Sequence, residues 1–552
     1  MKKQIISILL VAVMLLSLSA CKDETEQTAS SAEATKEAVT QATDEATTET
    51  EDIEYVYTGT APLVEEKTTL TVATHSGHSE VYPAADNELA FYAALEELTN
   101  VHIEWEVTPS ATYQEVTTTR LASGQDLPDI YNLTGISDYN ELGKDGVILD
   151  LVGLTDDYAP NTKAWLAEEE NQIFAALLKN TDGEMFALQS WAVPNTLSVG
   201  IMYNQTWLDE LGVQVPTTYL ELYDLLVLFN ENDMNGNGIE DEIPLTNAVP
   251  WMVNFMGNLY GLQLAFGNGF QADDSGTVTC DYIDDRYKDY LTFMNQLYEE
   301  GLFDMEYLSN NWQITYEKIA NDQVGAVIAW GTFAETFNTM HPDGNEDGSV
   351  AIFVPSVPLE GPYGDQYILR RIGLGGDPMA ITKDCQDTAT AMKWLDFVFA
   401  SEEAYELQYW GVEGITYEVV DGEKTKIEVE DGTWESLIIS IGGLQPPYAH
   451  KQSADNILGL FTDYVKEANE EQQDFYKDPF PQLPFTEEET EINNLYATDI
   501  TTYINEMSAK FITGQETLDN FDGYVEALKN LHIDELIAIN QARYDRYLES
   551  GN

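Results

Sequence analysis

The sequence predicts an α/β fold built from strand–helix–strand units, and three observations lead there. From Thr69 onward, short runs of alternating apolar residues are followed by runs with helical periodicity, the mark of crossover connections and a mainly parallel sheet. The 552 residues are 43% hydrophobic and 11% aromatic, enough to bury large cores and too much for a disordered acidic chain. At roughly 100–200 residues per domain, the length predicts about two to four domains, or two large lobes carrying long insertions.

The elements follow in order. Leu70 and Val72 alternate with Thr69, Thr71 and Ala73, a first strand ending in the loop His75-Ser76-Gly77-His78. Asp86 is placed to cap a helix whose Leu89, Tyr92, Leu95 and Leu98 share a face. Val101, Ile103, Trp105 and Val107 form a half-buried second strand. A helix from Tyr113 to Ala122 then turns at Ser123-Gly124 into a short strand at Asp129-Ile130-Tyr131. Ligands of such sheets lie beyond the carboxyl ends of the strands. Farther on, Thr218 and Glu221 make a capping box before a stripe of Leu222, Leu225, Leu226 and Phe229. The chain from Glu487 reads as helical, with Tyr524, Leu528, Leu531 and Leu536 near one face.

The N-terminus predicts an exported protein. Lys2 and Lys3 precede an apolar run from Ile5 to Leu18 that meets Ser19, Ala20 and Cys21, the pattern of a secretory signal. The run is shorter than the roughly 20 apolar residues that span a bilayer. Leu18-Ser19-Ala20-Cys21 resembles the bacterial lipobox, which implies that residues 1–20 are removed and Cys21 is lipidated; the alternative is an ordinary signal peptide. Residues 21–66 are rich in Ala, Thr, Ser, Gln and Glu and read as a disordered acidic tether. The remaining Cys280 and Cys385 read as small buried residues, since three cysteines cannot make a disulfide scaffold.

Several segments resemble the extracellular solute-binding proteins of bacterial ABC importers. The most specific is Leu121-Ala122-Ser123-Gly124-Gln125-Asp126-Leu127-Pro128-Asp129-Ile130, with its Ser-Gly-x-x-x-Pro-Asp-Ile element. Asn204 with Trp207-Leu208-Asp209-Glu210-Leu211-Gly212, and Pro216 to Leu222, look like the segment after the family's first hinge crossing. Trp394 to Val398 and Gly411 to Tyr417 look like the region of the second. The resemblance runs from about Thr69 to the end. It implies a two-lobe periplasmic-binding-protein-like fold of type II, with hinge crossings near residues 190–200 and 368–376. The first lobe would hold residues 67–192 and 373–435, the second 193–372 and 436–552. The implied activity is capture of a carbohydrate by a monomeric lipoprotein on the extracellular face, with lobe closure presenting it to a membrane permease.

One loop carries a metal-ligand pattern of its own. Asp233, Asn235, Asn237 and Asp241 place side-chain oxygens at positions 1, 3, 5 and 9, Ile239 offers its carbonyl at position 7, and Gly236 supplies the turn at position 6. This is the EF-hand pattern for Ca²⁺, which takes about six to eight oxygens. Pro244 stands where the closing bidentate Glu belongs. In sugar-binding members of the resembled family the acidic pair of such a loop maps onto Asp241 and Glu242. The expected ion is structural, joining a helix end to the strand near Ile243.

Enzymatic signatures are missing: the chain has no His-Glu-x-x-His, no Gly-Lys-Ser/Thr phosphate loop, no Gly-x-Ser-x-Gly elbow and no Cys-x-x-Cys. Sugar recognition needs flat apolar faces and a few fixed polar groups. Strand ends and hinge segments nominate Trp191, Trp251, Trp330, Trp410 and Tyr417, with His75 and Asp129 as polar candidates. The balance of 97 acidic against 25 basic residues gives a formal charge of −72, which repels nucleic acid and anionic lipid. An acidic glycan would call for convergent Arg or Lys. Away from Cys21 the mature chain has one adjacent basic pair, Arg370-Arg371, so a neutral oligosaccharide is the expected cargo, with Arg371 a candidate contact for a single acidic group. Two other readings stand beside this one: a secreted carbohydrate-active enzyme, and a peptide-binding or adhesive surface lipoprotein.

Overall fold

The computed structural model describes residues 56–75, 89–136, 139–168, 171–191, 197–345, 348–370, 374–420, 422–429, 434–443, 458–459, 461–481 and 483–549. The expected signal segment, Cys21, the Asp86 cap and Arg371 lie outside them.

Two sheets carry the architecture. The chain lays down β1 (Thr68–His75), β2 (Val101–Thr108), β3 (Ile130–Asn132) and β4 (Leu188–Trp191). It then builds a second sheet from β5 (Val199–Asn204), β6 (Ile243–Asn247), β7 (Val324–Trp330) and β8 (Phe353–Pro355), and returns to the first in β9 (Leu374–Ile381). The strand orders are β2-β1-β3-β9-β4 and β8-β5-β7-β6.

The expectation of mainly parallel sheets is corrected. β1 pairs in parallel with β2 and β3, and β6 with β7. β9 is antiparallel to both its neighbours, as is β5 to β7 and β8. The reason is topological. β4 runs up to the first crossing, so β5 must start at that edge and run away from it; β9 likewise enters the first sheet from the second crossing. The carboxyl ends of β1, β3 and β4, and those of β6, β7 and β8, therefore face the crossings, the side on which such sheets take ligands.

Separate cores back the two sheets. The first gathers Leu70, Val72, Ile103, Ile130, Met379, Ile381, Trp394 and Phe397. The second is larger, joining Trp207, Phe229, Leu245, Val327, Phe337 and Phe353 to the C-terminal residues Ile504, Phe511, Tyr524 and Leu528. The helical stripe Leu222, Leu225, Leu226 and Phe229 is buried as its spacing predicts. Its cap differs in detail: Thr218 accepts from the Glu221 N–H, but the Glu221 carboxylate reaches back to the Thr217 N–H rather than to Thr218. Gly325 lets this helix sit tight on β7, for a Cβ there would lie 2.4 Å from the Phe229 ring. The long helix Glu487–Ile512 opens with a full capping box, Thr486 with Glu489.

The expected tether end at residue 66 is also corrected. Leu63 is fully buried and Tyr57 nearly so, both inside the first core. The Tyr57 hydroxyl donates to Asp396 Oδ2 at 2.9 Å, and the N–H of Thr162 donates to Asp396 Oδ1 at 2.6 Å. Burial raises the Asp396 pKa, although each of these donors works against it. Composition misses this strap because two large apolar residues suffice to dock a polar segment once a pocket awaits them. At the other end, the Phe91 N–H donates to the carbonyl of Ile441, so residues beyond 435 also pack on the first core.

Candidate functional site

The strand ends that flank the two crossings lie side by side. Leu374, the first residue of β9, pairs with Trp191, the last of β4. On the other side, Ser198 Oγ donates to the carbonyl of Leu369 at 2.9 Å, and Val199 pairs with Trp330. These backbone pairings place the ends of β4 and β7 and the starts of β5 and β9 next to the crossings.

The second sheet contributes aromatic surface. Trp330 ends β7, and Trp251 stands on the 3-10 helix Pro250–Tyr260 that follows β6. Their ring centroids are 6.3 Å apart, edge to face. Phe266 stacks on Trp330 at 5.9 Å and meets Phe255 at 5.1 Å. Packing from behind fixes the cluster while Trp251 stays 44% exposed, an apolar face suited to the C–H side of a sugar ring. Trp251 and Trp330 were legible as residues after strands; Phe266, in a loop rich in Gly and Asn, was not.

The first sheet contributes polar groups. At the end of β1, His75 Nε2 lies 2.6 Å from Asp377 Oδ1. The same oxygen accepts from Asn132 Nδ2 at 3.1 Å and from Thr134 Oγ1 at 3.0 Å. Tyr113 packs edge-on to the His75 ring and donates its hydroxyl to the Asn132 carbonyl at 2.5 Å. Burial acts to raise the Asp377 pKa, but hydrogen bonds and charge from His75, with Asn132 and Thr134, hold it below the ordinary carboxylate value. His75 was expected here; Asp377, Asn132 and Thr134 were missed because 302 and 245 residues of chain separate Asp377 from His75 and Asn132.

The metal-pattern loop connects the helix Tyr219–Glu231 to β6. Asn235 and Asn237 both donate to Asp241 Oδ1, at 3.1 and 3.0 Å, and Gln323 donates to Asp241 Oδ2 at 2.9 Å. Asp233 Oδ2 accepts from the Gly238 N–H at 3.0 Å, and Glu242 Oε1 from that of Met234 at 2.9 Å. Gly236 and Gly238 take left-handed conformations, φ 67° and 76°, as the turn requires. Desolvation opposes ionisation of Asp241, yet its amide partners lower its pKa overall. The oxygen-rich set of Asp233, Asn235, Asn237, Asp241, Glu242 and the Ile239 carbonyl fits a hard ion in composition. The loop's three carboxylates, Asp233, Asp241 and Glu242, do not converge into a metal-holding cluster as the loop stands, and no group of three or more His, Cys, Asp or Glu that could hold a metal occurs elsewhere among the described residues.

The model of the bacterial extracellular solute-binding protein family matches residues 77–405, more than half of the chain. The chain belongs to that family. This solute-binding protein is 26% identical over 535 residues to the fructooligosaccharide ABC transporter substrate-binding protein FusA of Streptococcus pneumoniae, covering 90% of the chain and 94% of the relative. It is 24% identical over 364 residues to the polygalacturonan/rhamnogalacturonan-binding protein YtcQ of Bacillus subtilis, covering 63% of the chain and 68% of the relative. Among solved structures, that of the alginate-binding protein AlgQ2 without calcium ion superposes with a TM-score of 0.74 at 22% identity, covering 88% of this chain and 100% of that one. FusA in complex with kestose superposes at 0.71 and 24%, covering 87% and 100%; an EF-hand mutant of FusA superposes equally well. These neighbours have the two-lobe fold expected from the sequence.

The remaining expected residues of the solute-binding protein lie elsewhere. Asp129 sits at the start of β3, away from the crossings, where its Oδ2 accepts from both the N–H and the hydroxyl of Thr71 at 2.8 Å. It ties β3 to β1, so its expected ligand role is corrected to a structural one. Trp410 and Tyr417 meet at 5.9 Å, but Lys424 Nζ stands over both rings, at 5.5 and 5.0 Å, and Trp434 packs against Trp410. Both rings are half-buried in this packing, and among the described residues no ring contact joins them to Trp251 or Trp330. Trp191 ends β4 at the crossing. Arg370 donates to Asp478 at 2.7 Å. Cys280 and Cys385 are buried and unpaired with each other. No helix among the described residues is long and apolar enough to cross a membrane.

Proposed function

We propose that the protein captures a neutral oligosaccharide between its two lobes and delivers it to an ABC permease, without chemical turnover. The observation that carries this reading is the exposed Trp251 packed against Trp330, which Phe266 in turn stacks on, at the hinge-side strand ends, in a chain of the solute-binding family. The polar groups of the first lobe stand at the crossing end of its sheet, so a sugar held between the lobes would touch both and favour the closed form. Support for a glycan also comes from the relatives, whose names record fructooligosaccharide, polygalacturonan/rhamnogalacturonan and alginate.

Three further features complete the proposal. The lobes are residues 56–191 with 374–443, and 197–370 with 458–549, the two sets that share a core. Cys21 carries a lipid that holds the monomeric protein on the extracellular face, close to its permease. A Ca²⁺ ion, held by Asp233, Asn235, Asn237, Asp241, Glu242 and the Ile239 carbonyl, stiffens the loop before β6 and takes no part in ligand binding.

Calorimetric titration of the Ca²⁺-loaded chain tests the reading, using fructo-, malto-, xylo- and manno-oligosaccharides, trigalacturonate and a peptide pool. Stoichiometric binding of one neutral glycan class, recovered chemically unchanged, is the expected result. Binding of peptides alone, or release of shortened sugars, would overturn it.

A further inference from the structure

Asp377 is held in an unusual way. β9 loses register with β4 between Gly376 and Met379, so Asp377 sits on a bulge, the irregularity that re-aims a side chain at a strand end. Its φ is 54°, directly after Gly376 at 111°. Left-handed backbone at a non-glycine residue costs free energy, and such strain collects where a side chain must be aimed. Its side chain is 13% exposed, so it is reachable from solvent but mostly enclosed.

The hydrogen bonds are one-sided. His75, Asn132 and Thr134 all converge on Oδ1. Oδ2 receives no donor from the described residues, and it is not a sealed, orphaned atom either. One-sided donation does not by itself mark a ligand site, for Asp129 fastens β3 to β1 through Oδ2 alone; Asp377 differs in standing on a bulge near the crossing end of its sheet, the end away from Asp129. It has one oxygen anchored and one open, three residues into β9 from the crossing. No Lys or Arg among the described residues pairs with it.

We propose that Asp377 Oδ2 is the polar anchor of the ligand site in the first lobe, accepting hydroxyl groups of a neutral glycan and excluding acidic sugars. This rests on the glycan reading above and deepens it by assigning the preference for uncharged sugar to one atom. A fixed carboxylate suits donors only, and a sugar ring presents hydroxyl donors at almost every carbon. A uronate carboxylate brought to the same place would meet a like charge in a partly desolvated site, where His75 is already engaged by Asp377 Oδ1 and no Lys or Arg of the described residues pairs with the carboxylate.

The test is Asp377→Asn. Asparagine tolerates the left-handed backbone, keeps an Oδ1 for His75, Asn132 and Thr134, and replaces only the open oxygen by an NH₂. Calorimetric titrations of wild type and variant would use the tightest-binding neutral oligosaccharide of the panel and trigalacturonate. The expected result is about a 10–100-fold weaker neutral glycan, the scale for a lost charged hydrogen bond, together with a higher ratio of trigalacturonate to neutral affinity. Equal affinities within about twofold, or an unchanged ratio, would overturn the assignment while leaving the glycan reading intact. The ratio also decides the matter if the variant melts lower, because general destabilisation weakens both ligands alike. If the wild type binds no glycan at all, the reading and the assignment fall together.

Discussion

Asp281 offers a sharp test of how burial governs the electrostatics of this acidic protein. It lies at the start of a 3-10 turn in the second lobe and is 1% exposed. Its Oδ2 accepts from the N–H of Gln263 at 2.6 Å and its Oδ1 from Gln271 Nε2 at 2.5 Å. Desolvation outweighs these donors and raises its pKa from 3.8 to about 6. Between those pH values the folded chain binds more protons than the unfolded one, so this residue's contribution to stability is fully present below pH 3.8 and is lost as pH rises through 6. About two pH units at 1.36 kcal/mol each give a loss of about 3 kcal/mol by neutral pH. Asp281→Asn removes the titration and keeps both hydrogen bonds, since one amide oxygen serves the Gln263 N–H and a turned-over Gln271 amide accepts from the new NH₂. Melting curves of both proteins at a series of pH values would isolate the effect from the many other carboxylates. The variant should gain on wild type by about 3 kcal/mol between pH 4 and pH 7.5, or about 6–12 °C in the midpoint of a lobe this size. Parallel curves across that range would refute the argument.

Three other outcomes follow from the same structure. Tyr57→Phe deprives the buried Asp396 carboxylate of one donor and should cost about 1.5–3 kcal/mol in urea unfolding; no loss would mean the strap at residues 57–63 is not docked in solution. Removing Ca²⁺ with a chelator should lower the melting midpoint of the wild type but not of Asp233→Ala, the difference being the mass-action stabilisation by a bound ion. Trp251→Ala should weaken the neutral oligosaccharide by about 10-fold, on the scale of a lost aromatic contact, and leave the ligand-free melting midpoint nearly unchanged, because the side chain is 44% exposed.

The sequence by itself determined whatever depends on neighbours in the chain. Alternation and periodicity located β1, β2, the helix Tyr219–Glu231 and the C-terminal helices, because period and capping are local properties. The calcium-type loop was legible for the same reason: its candidate ligands lie within ten residues of one another. Trp251 and Trp330 could be nominated as residues following strands, though not as partners.

Tertiary structure decided the rest. Strand direction at the hinge depends on the edge from which the chain re-enters a sheet, which no local pattern records. The docking of Tyr57 and Leu63 depends on a pocket whose anchor, Asp396, lies 339 residues beyond Tyr57. Asp129 has the right chemistry for a ligand, but Thr71 engages it at the end of β3 away from the crossings, and that Lys424 stands over Trp410 and Tyr417 is equally invisible to local pattern. Asp377 was hidden among 97 carboxylates. Its distinction is a bulge and three donors brought from the ends of β1 and β3, and only folding assembles those on one oxygen.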